Sequence, residues 1–483
     1  MNMTLTPPTP NFLLKRALPT LVTIGALYLL SLLAGIHVNA VALTIILMVT
    51  FCLIKMPVPI ALILAALLGG LQSGLSFGEA LAAFNENLLS GAQIGITYIM
   101  IGAFAVALAR SGLLELLATQ ITSKMGSSNT DKAHKRIKWT LFIIFAVAAL
   151  MSQNLVPVHI AFIPILIPPL IHIMNELKID RRAVACILAS CISVAYLLIP
   201  YGFGDVYLKQ ILLASANDVG ESLGFVATAS MAPKAMFFPV LGIIAGMLFA
   251  VFITYRKKRQ YQDLPVLTTT TKTDRPINKI QIAITLISIG VALALQIMYD
   301  SLLVGALIGF VILSFSRIFR WNEQDGVFTQ GVALMAEISV VITLATGFAG
   351  VLTATGEVTP LIELVISYIG DNKMMGATVM ILMGLFITVG FGDSFASVAI
   401  LAPIYLPLAL LLGFSPLASL AILGAAAALG DAGSPASSIT LGTTAGLNAD
   451  GQHDHMIDSV IPTFTHINIG MVIFTWIAVV YIL

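Results

Sequence analysis

Two acidic residues lie inside apolar stretches of this chain, beside glycines and prolines that prevent a continuous helix. The two segments are GFGDS at 390–394 and GDAGSP at 430–435. A charged side chain at bilayer depth costs about 2.5–3.5 kcal/mol, so such residues are rare and usually functional. A backbone broken at that depth is tolerated only where it is buried in protein or lines a watery cavity. The two segments therefore predict a binding site for a cation, or for a solute that carries one.

The composition predicts a membrane protein. Of the 483 residues, 58% are hydrophobic and 10% are charged, whereas a soluble domain carries roughly 25% charged residues. The lipid bilayer is an expected partner. Nucleic acid is not, because the basic residues sit in short loops between apolar segments. Cys52, Cys186 and Cys191 lie in apolar segments without a CxxC pair, which indicates packing rather than a disulfide or a metal site.

Apolar runs predict an all-α polytopic membrane protein with about 11 transmembrane helices. The run 18–36 follows basic residues, as in a signal peptide, but it is too long for one and lacks a cleavage pattern, so it predicts a first helix. Two stretches, 139–175 and 374–412, exceed one helix and are interrupted centrally, which predicts re-entrant hairpins. The spans 183–216 and 414–446 are predicted as helices broken near the middle of the membrane. The remaining predicted spans are 38–54, 57–75, 92–110, 233–254, 279–298, 301–319, 332–352 and 460–482.

The basic residues predict the orientation. With the N-terminus inside, 21 of the 24 lysines and arginines fall on the cytoplasmic side, and Lys209, Lys234 and Lys373 fall outside. This bias follows the positive-inside rule. The sequence therefore predicts a multi-pass protein of the cytoplasmic (inner) membrane, with its N-terminus inside and its C-terminus outside.

The two halves of the chain resemble each other. A shift of 239 residues places Asn154 on Asp393, and a shift of 235 places Pro200 on Pro435, so the interruptions coincide. Each copy has an odd number of predicted crossings, so the second copy is predicted to be inverted, as in many secondary transporters. The predicted organisation is an N-terminal segment and first helix at 1–36, a first repeat at 37–254, a cytoplasmic linker at 255–278 and a second repeat at 279–483.

The interruptions carry the residues from which we predict an ion or substrate site. In the second half these are Asp393, Ser394, Asp431, Ser434, Pro435 and Ser437. In the first half they are Ser152, Gln153, Asn154, Pro200, Gly202 and Asp205.

Sodium takes hard oxygen ligands, so Asp393, Ser394, Asp431 and Ser434 predict one sodium site, and Asn154 predicts another. A carboxylate that binds either sodium or a proton gives antiport directly, because the two ligands compete for one group. Each aspartate at a break also suits a helix N-cap. Asn154 also suits a structural turn, and Asp205 an outer vestibule.

Four further residues are candidate members of a proton relay or gate: Glu337, His453, His455 and His466. Glu337 is predicted six residues into the span 332–352, where its side chain either takes part in transport or reaches the interface. His453 and His455 lie in the run DGQHDH at 450–455, which suits a hydrated loop or a pH-sensing gate. Two histidines separated by one residue are poorly spaced for one metal ion, so no structural metal is expected there.

Two other classes of protein share parts of this pattern. The run GFGD occurs at 202–205 and at 390–393, and Tyr299 precedes Asp300, as in intramembrane aspartyl proteases. Asp300 falls at the end of its span, however, and the two GFGD runs do not align in the repeat, so an enzyme is not expected. A channel also uses polar breaks in apolar helices, and ion flux without coupling would distinguish it.

Two motifs in the second half carry a family resemblance. The run GDAGSPASSITLGTTAGLNADGQHDHMIDSVIPTFTHIN at 430–468 resembles the NhaC-type sodium/proton antiporters, in the branch called YuiF-like, and GDSFASVAILAPIYLP at 392–407 is similar as well. The architecture also resembles the wider ion transporter superfamily, in which hairpin tips and broken helices bind sodium and substrate. The resemblance implies such roles for Asn154, Asp393, Ser394, Asp431 and Ser434.

The expected function is therefore secondary active transport, with sodium(cation)/proton antiport by alternating access as the first candidate. The resemblance leaves open an alternative, sodium- or proton-coupled uptake of an amino acid, histidine among them, or of a small organic acid. The expected partners are an inorganic cation, a small zwitterionic or anionic solute, or both. No cofactor is expected beyond sodium ions and protons as coupling ions. Dimers are common in the superfamily, which raises a homodimer as one arrangement.

Overall fold

The computed structural model describes residues 37–113, 131–154, 166–264 and 279–483, together with the single positions 25, 116 and 163. Regular structure in these ranges is helical, and no strand occurs in them. Apart from position 25, the predicted first helix at 18–36 lies outside the described residues, as do residues 155–165 of the predicted first hairpin apart from position 163, and most of the predicted linker.

The helices follow one another along the chain with short connections. In chain order they are α1 (Ala40–Leu53), α2 (Val58–Gln72), α3 (Phe77–Glu86), α4 (Leu88–Ala109), α5 (Asp131–Asn154), α6 (Ile171–Glu176), α7 (Arg181–Leu198), α8 (203–220), α9 (Met231–Thr254), α10 (Lys279–Tyr299), α11 (Leu302–Phe315), α12 (Gln324–Ala354), α13 (Val358–Ile369), α14 (Lys373–Phe391), α15 (Ser394–Leu411), α16 (Pro416–Ala428), α17 (Ser438–Leu447) and α18 (His455–Tyr481).

The helix lengths confirm an all-helical polytopic membrane protein. Among the described residues, eight helices are long and apolar enough to cross a membrane: α4, α5, α7, α9, α10, α12, α15 and α18. Six shorter apolar helices accompany them: α1, α2, α11, α13, α14 and α16. The number of crossings, predicted as about 11 from the apolar runs, stays a prediction.

Two helices fall where no span was predicted, and α5 and α12 each begin eight residues earlier than expected. The amphipathic helix α3 begins at a capping box in which Ser76 and Glu79 bond each other's backbone N–H. Helix α13 is a second short helix outside the predicted spans. Helix α12 begins at Gln324 rather than near residue 332, because a 3₁₀ turn at Trp321–Glu323 leads directly into it.

The chain forms two compact units, residues 1–87 with 347–368 and residues 88–346 with 369–483. In the first unit, Glu357 fastens the start of α1, since one of its carboxylate oxygens accepts from the backbone N–H of Ala40 at 2.5 Å and the other lies 3.0 Å from His37 Nε2. The predicted repeats at 37–254 and 279–483 do not coincide with these units and stay a prediction.

In the second unit, α7, α15 and α16 lie deepest, with most of their side chains buried against neighbouring helices. Their sequences are rich in alanine and serine, small residues that let helix backbones approach closely in a membrane. Each of these three helices has one end at an interruption in the middle of an apolar stretch. The core of this unit therefore brings the broken ends together.

The predicted hairpin at 374–412 is present as α14 and α15. Gly392 ends α14 with a left-handed backbone (φ 73°), and Asp393 caps the start of α15. The hydroxyl of Tyr405 donates to the carbonyl of Met380 at 2.7 Å, and these two residues are equally far from the turn. The two limbs therefore run back alongside each other.

Candidate ion-binding site

Asp431 lies in the loop 429–437, where the predicted broken helix is interrupted between α16 and α17. The interruption follows from its glycines and proline, which end α16 and prevent α17 from starting before Ser438. A side chain at Gly430 would collide with the backbone of Thr388 on α14, so only glycine allows this approach. The break is thereby pressed against the first limb of the hairpin.

Three hydroxyl groups donate hydrogen bonds to the carboxylate of Asp431. Tyr196 on α7 and Ser394 at the start of α15 reach Oδ2 at 2.5 and 2.7 Å, and Ser437 reaches Oδ1 at 3.2 Å. Asp431 is 6% exposed, and the three donors are buried. Oxygen atoms from three separate segments thus converge on one buried carboxylate.

Asp393 sits at the tip of the hairpin, directly beside Ser394. Its Oδ1 accepts from the backbone N–H of Ala396 at 2.8 Å, as a helix N-cap, and its carbonyl accepts from the hydroxyl of Ser397 at 2.5 Å. The N-cap role that the sequence left open is therefore present, and Asp393 is half-buried. A Cβ on Gly392 would lie 3.0 Å from Ser434 Oγ, so the hairpin tip touches the break in α16–α17.

The charge of Asp431 has no basic partner in the part of the chain that the structure describes. Among the described residues, no lysine, arginine or histidine forms an ion pair with Asp431 or with Asp393. The two carboxylates interact electrostatically with each other, and Asp393 also with Glu337. An unpaired carboxylate in a buried site is costly unless a cation or a proton neutralises it. This arrangement therefore suits reversible binding of a positive charge.

Ser434 and Pro435 connect the break to its surroundings. The hydroxyl of Ser434 donates to the carbonyl of Val389 at the end of α14, at 2.8 Å. The carbonyl of Pro435 lies 3.0 Å from His455 Nε2. Ser434 therefore ties the break to the hairpin, and its hydroxyl does not hydrogen bond to the carboxylate of Asp431.

Aromatic rings enclose the site on one side. Phe395, next to Ser394, packs against Tyr98, Tyr196, Phe203 and Tyr207, with ring centroids 5.3 to 6.0 Å apart. The hydroxyl of Tyr98 is buried and has no hydrogen-bond partner among the described residues. These rings lower the local dielectric, which strengthens electrostatic interactions inside the site.

A buried amide lies on the other side of the break. Asn468 on α18 is buried, and neither polar atom of its side chain has a hydrogen-bond partner in the described ranges. A Cβ on Gly433 would lie 2.5 Å from its Nδ2, so this amide faces the backbone of the break. It ends one of the two π-helical turns in α18, a feature frequent at functional sites.

The first-half candidates occupy a different environment. Ser152 donates to the carbonyl of Ala149 at 2.8 Å, and Gln153 is buried, with no described partner for its Oε1. Asn154 is the last residue of α5, and its side chain lies outside the described part of the structure. Its predicted sodium role therefore stays a prediction.

The first break, at residues 199–202, contains Pro200, and its backbone turns at Gly202, where φ is 64°. Gln296 on α10 accepts from the backbone N–H of Gly202 at 3.2 Å. Asp205 is buried, but Lys209 Nζ lies 2.5 Å from one of its oxygens and Gln210 donates to the other at 3.0 Å. The charge at this break is thus compensated within the protein.

Of the four relay candidates, His453 and His455 share one hydrogen-bond network, through the hydroxyls of Ser459 and Thr444, and Glu337 and His466 are not part of it. Glu337 is thirteen residues after the first residue of α12, near the middle of that helix, rather than six residues into a span, and it is exposed. His453 is buried in the loop 448–454, and His455 begins α18. His466 contacts Thr254 Oγ1 at 2.9 Å and stacks obliquely near Tyr255.

Sequence reasoning missed Tyr196, Tyr98, Gln296 and Asn468. For Tyr196 a signal was present, because the shift of 235 residues that places Pro200 on Pro435 also places Tyr196 on Asp431. These two residues, equivalent under the predicted repeat, hydrogen bond to each other. Tyr98 and Gln296 are uncharged side chains on apolar helices and lie in no motif, whereas Asn468 is the last residue of the run at 430–468 but was not singled out from it.

Paired interrupted segments around a buried carboxylate, in a chain of apolar helices, define a membrane transporter. A model of the Na+/H+ antiporter family matches residues 192–478, and a second model described as a Na+-H+ antiporter family matches residues 39–125. The chain therefore belongs to the Na+/H+ antiporter family, of the NhaC type.

Three relatives match nearly the whole chain. Uncharacterised membrane proteins of Vibrio parahaemolyticus and Haemophilus influenzae are each 44% identical, covering 91% and 92% of this chain and 99% of their own lengths. The "Putative amino acid transporter YuiF" of Bacillus subtilis is 41% identical over 91% of this chain and 99% of its own.

Two solved structures share the fold. One is the Neisseria gonorrhoeae MtrF, described among antimetabolite efflux pumps, with a TM-score of 0.56 and 16% identity over 83% of this chain and 84% of that one. The other is the Alcanivorax borkumensis YdaH transporter, with a TM-score of 0.56 and 15% identity over 90% and 98%. The family and these neighbours are transporters and efflux pumps, not enzymes.

Proposed function

We propose that this protein exchanges sodium ions for protons across the membrane, and that Asp431 is the group for which the two cations compete. The observation that carries this proposal is a buried carboxylate with three hydroxyl donors and no basic partner among the described residues. Membership of the Na+/H+ antiporter family supports it.

In the sodium-bound form, the ligands would be Asp431 with the hydroxyl oxygens of Ser394 and Ser437. These hydroxyls rotate easily, so they can turn their protons away and present lone pairs to the ion. Backbone carbonyls of the loop 429–437 are further hard oxygen donors of the kind that sodium prefers. In the proton-bound form, the carboxyl group is neutral and the hydroxyls return to hydrogen bonding.

Asp393 would set the electrostatic potential at the site. Its carboxylate interacts with that of Asp431, so both cannot easily stay charged without a bound cation. The broken helices and hairpins, as inverted repeats, would open the site to each face of the membrane in turn. Under the positive-inside rule the protein would lie in the inner membrane with its N-terminus in the cytoplasm.

Reconstitution in proteoliposomes tests the proposal. An inward sodium gradient should drive protons out and raise the internal pH, and choline in place of sodium should give no change. Internal pH is read with a trapped dye. If an imposed sodium gradient moves no protons, and an imposed pH gradient moves no sodium, exchange at Asp431 is refuted.

Coupled uptake of an amino acid is the second candidate. The relative named as a putative amino acid transporter favours it, and so do the unpartnered polar atoms of Tyr98 and Asn468 near the site. A zwitterion would pair its ammonium with a carboxylate and its own carboxylate with a helix N-terminus. The same vesicles distinguish the two, because a current that requires added histidine or another amino acid supports uptake rather than exchange.

A further inference from the structure

We propose that a cavity beside the loop 316–320, between α11 and α12, binds the headgroup of an anionic phospholipid through Arg317 and Arg320. The cavity shares no residue with the two breaks or the hairpin, so the inference does not depend on the exchange of sodium for protons.

The cavity has a volume of about 490 Å³, which is within the size range of small-molecule sites. Phe319 is buried and packs against Phe310, with ring centroids 6.2 Å apart, and Ser314 is buried beside it along the chain. The other four lining residues are exposed. The cavity therefore has a packed inner side and a rim that carries both arginines. Its full lining is Ser314, Phe315, Arg317, Phe319, Arg320 and Trp321.

No acidic side chain in the described ranges forms an ion pair with either arginine of the rim. The acidic residues next along the chain are Glu323, which accepts from the backbone N–H of Arg320 at 2.9 Å, and Asp325 in the first turn of α12. A guanidinium group is always charged, and its planar fork of donors matches the oxygens of a phosphate. Two such groups on one cavity favour a phosphate ligand.

The backbone at Arg317 is fixed by a neighbouring helix. Arg317 has a left-handed backbone (φ 60°), which is uncommon for a residue other than glycine. The side-chain amide of Gln281 on α10 donates to the carbonyl of Arg317 at 3.0 Å. Such strained residues cluster at ligand-binding sites. The position of Arg317 is therefore set by α10 and not by a salt bridge.

An exposed apolar stripe leads from the cavity along α11. Val304, Leu307, Val311 and Phe315 are exposed and recur three or four residues apart, so they share one face of the helix. At 1.5 Å per residue the stripe is about 17 Å long, close to half of the hydrocarbon core, which is about 30 Å thick. Trp321 packs against Phe315, with ring centroids 5.3 Å apart, and tryptophan is enriched at the membrane–water interface.

The stripe distinguishes a lipid from a free anion. A free phosphate ester would contact the arginines and leave the stripe uncovered, whereas a phospholipid places its phosphate at the arginines and an acyl chain along Val311 and Leu307. A zwitterionic headgroup would bring an ammonium group toward two positive charges. The positive-inside rule places Arg317 and Arg320 on the cytoplasmic side, where anionic lipids attract basic residues. The occupant is therefore an anionic phospholipid.

Native mass spectrometry of the full chain, purified in mild detergent, tests the site. The three probes are dioleoyl phosphatidylglycerol, dioleoyl phosphatidylethanolamine and glycerol phosphate, each titrated to give a Kd. Phosphatidylglycerol should bind at least about fivefold more tightly than either of the others. The double variant Arg317→Gln with Arg320→Gln should weaken its binding about 30-fold, that is about fivefold for each arginine.

The matched control removes two basic charges elsewhere. Arg256 and Lys257 follow α9 and are also exposed. The double variant Arg256→Gln with Lys257→Gln should leave the Kd for phosphatidylglycerol within about twofold of the wild type. A third double variant, Leu307→Ser with Val311→Ser, keeps both arginines and shortens the stripe, and should weaken phosphatidylglycerol about tenfold. Thermal unfolding without lipid checks that each variant is folded.

Each contrary outcome overturns the proposal. Equal binding of glycerol phosphate would make the occupant a free anion, and equal binding of phosphatidylethanolamine would mean that the headgroup charge is not recognised. Equal losses in the control and in the arginine variant would mean diffuse attraction to basic residues. If the double arginine variant does not fold, the single variants and the stripe variant decide, and unchanged binding in all of them refutes the site.

Discussion

The two broken helices are interrupted by the same kinds of residue, but the charge at each interruption is compensated differently. Both contain a proline and a glycine, and a buried aspartate lies within the second break and three residues after the first. At the first break, Lys209 neutralises Asp205 and Gln296 binds the backbone of Gly202. At the second break, Asp431 accepts three hydroxyl bonds and has no ion-pair partner among the described residues.

The comparison teaches that charge compensation, rather than the break itself, identifies an ion site. A break whose polar groups are satisfied within the protein has no need of a bound ion. A break that leaves a carboxylate uncompensated needs a cation or a proton. Four variants test this difference, and each changes one break while the other serves as its reference.

Asp431→Asn should have the largest effect. The amide keeps the shape but cannot bind a cation by charge, so we expect a loss of about 3 kcal/mol or more, that is over about 100-fold in sodium-coupled flux. Flux is measured in proteoliposomes at matched protein content. Asp205→Asn is the control and should keep at least about half of the wild-type flux, since its effect is on an ion pair. Equal losses in both variants would remove the distinction between the breaks.

Lys209→Gln should act on stability rather than on transport chemistry. It leaves Asp205 buried without its partner, which we expect to lower the free energy of unfolding by about 2–3 kcal/mol. Thermal unfolding in detergent measures the change. The double variant Asp205→Asn with Lys209→Gln should recover most of the stability, because no buried charge remains. A single variant as stable as the wild type would mean that Asp205 is not held by this pair.

The sequence predicted much of the second break because carboxylates in apolar sequence are expensive and rare. Asp393, Ser394, Asp431 and Ser437 were expected near one another, and the hairpin contacts bring their segments together. The partner Tyr196 was not predicted, since it is 235 residues away and is an ordinary aromatic residue on a buried helix.

For Asp205 and Glu337 the local sequence pattern was overlooked or was misleading about the structure around the residue. Lys209 is four residues after Asp205, a spacing that pairs side chains on a helix, but Asp205 was expected only as a site residue or as a residue of an outer vestibule. Glu337 was placed six residues into a span that was expected to begin at residue 332. The 3₁₀ turn at Trp321–Glu323 starts the helix earlier and moves Glu337 to its middle.

Tyr196→Phe should weaken sodium binding without abolishing transport. It removes one hydrogen bond to a charged group, which we expect to cost about 1.5 kcal/mol and to raise the sodium KM about tenfold. The KM is read from flux at several sodium concentrations. Tyr405→Phe is the matched control, because its hydroxyl bonds the carbonyl of Met380 away from the carboxylates. An unchanged KM in Tyr196→Phe would show that the first half contributes nothing to the site.

Gln296→Leu should have the smallest effect and should be confined to the first break. Its amide binds the backbone of Gly202, so we expect a loss of about 1 kcal/mol in stability and a sodium KM within about twofold of the wild type. Gln281→Leu, on the same helix but only half-buried, is the control and should change stability less. Thermal unfolding and flux are measured on the same preparations. A tenfold rise in the sodium KM of Gln296→Leu would make the first break part of the ion site, and the contrast between the two breaks would be lost.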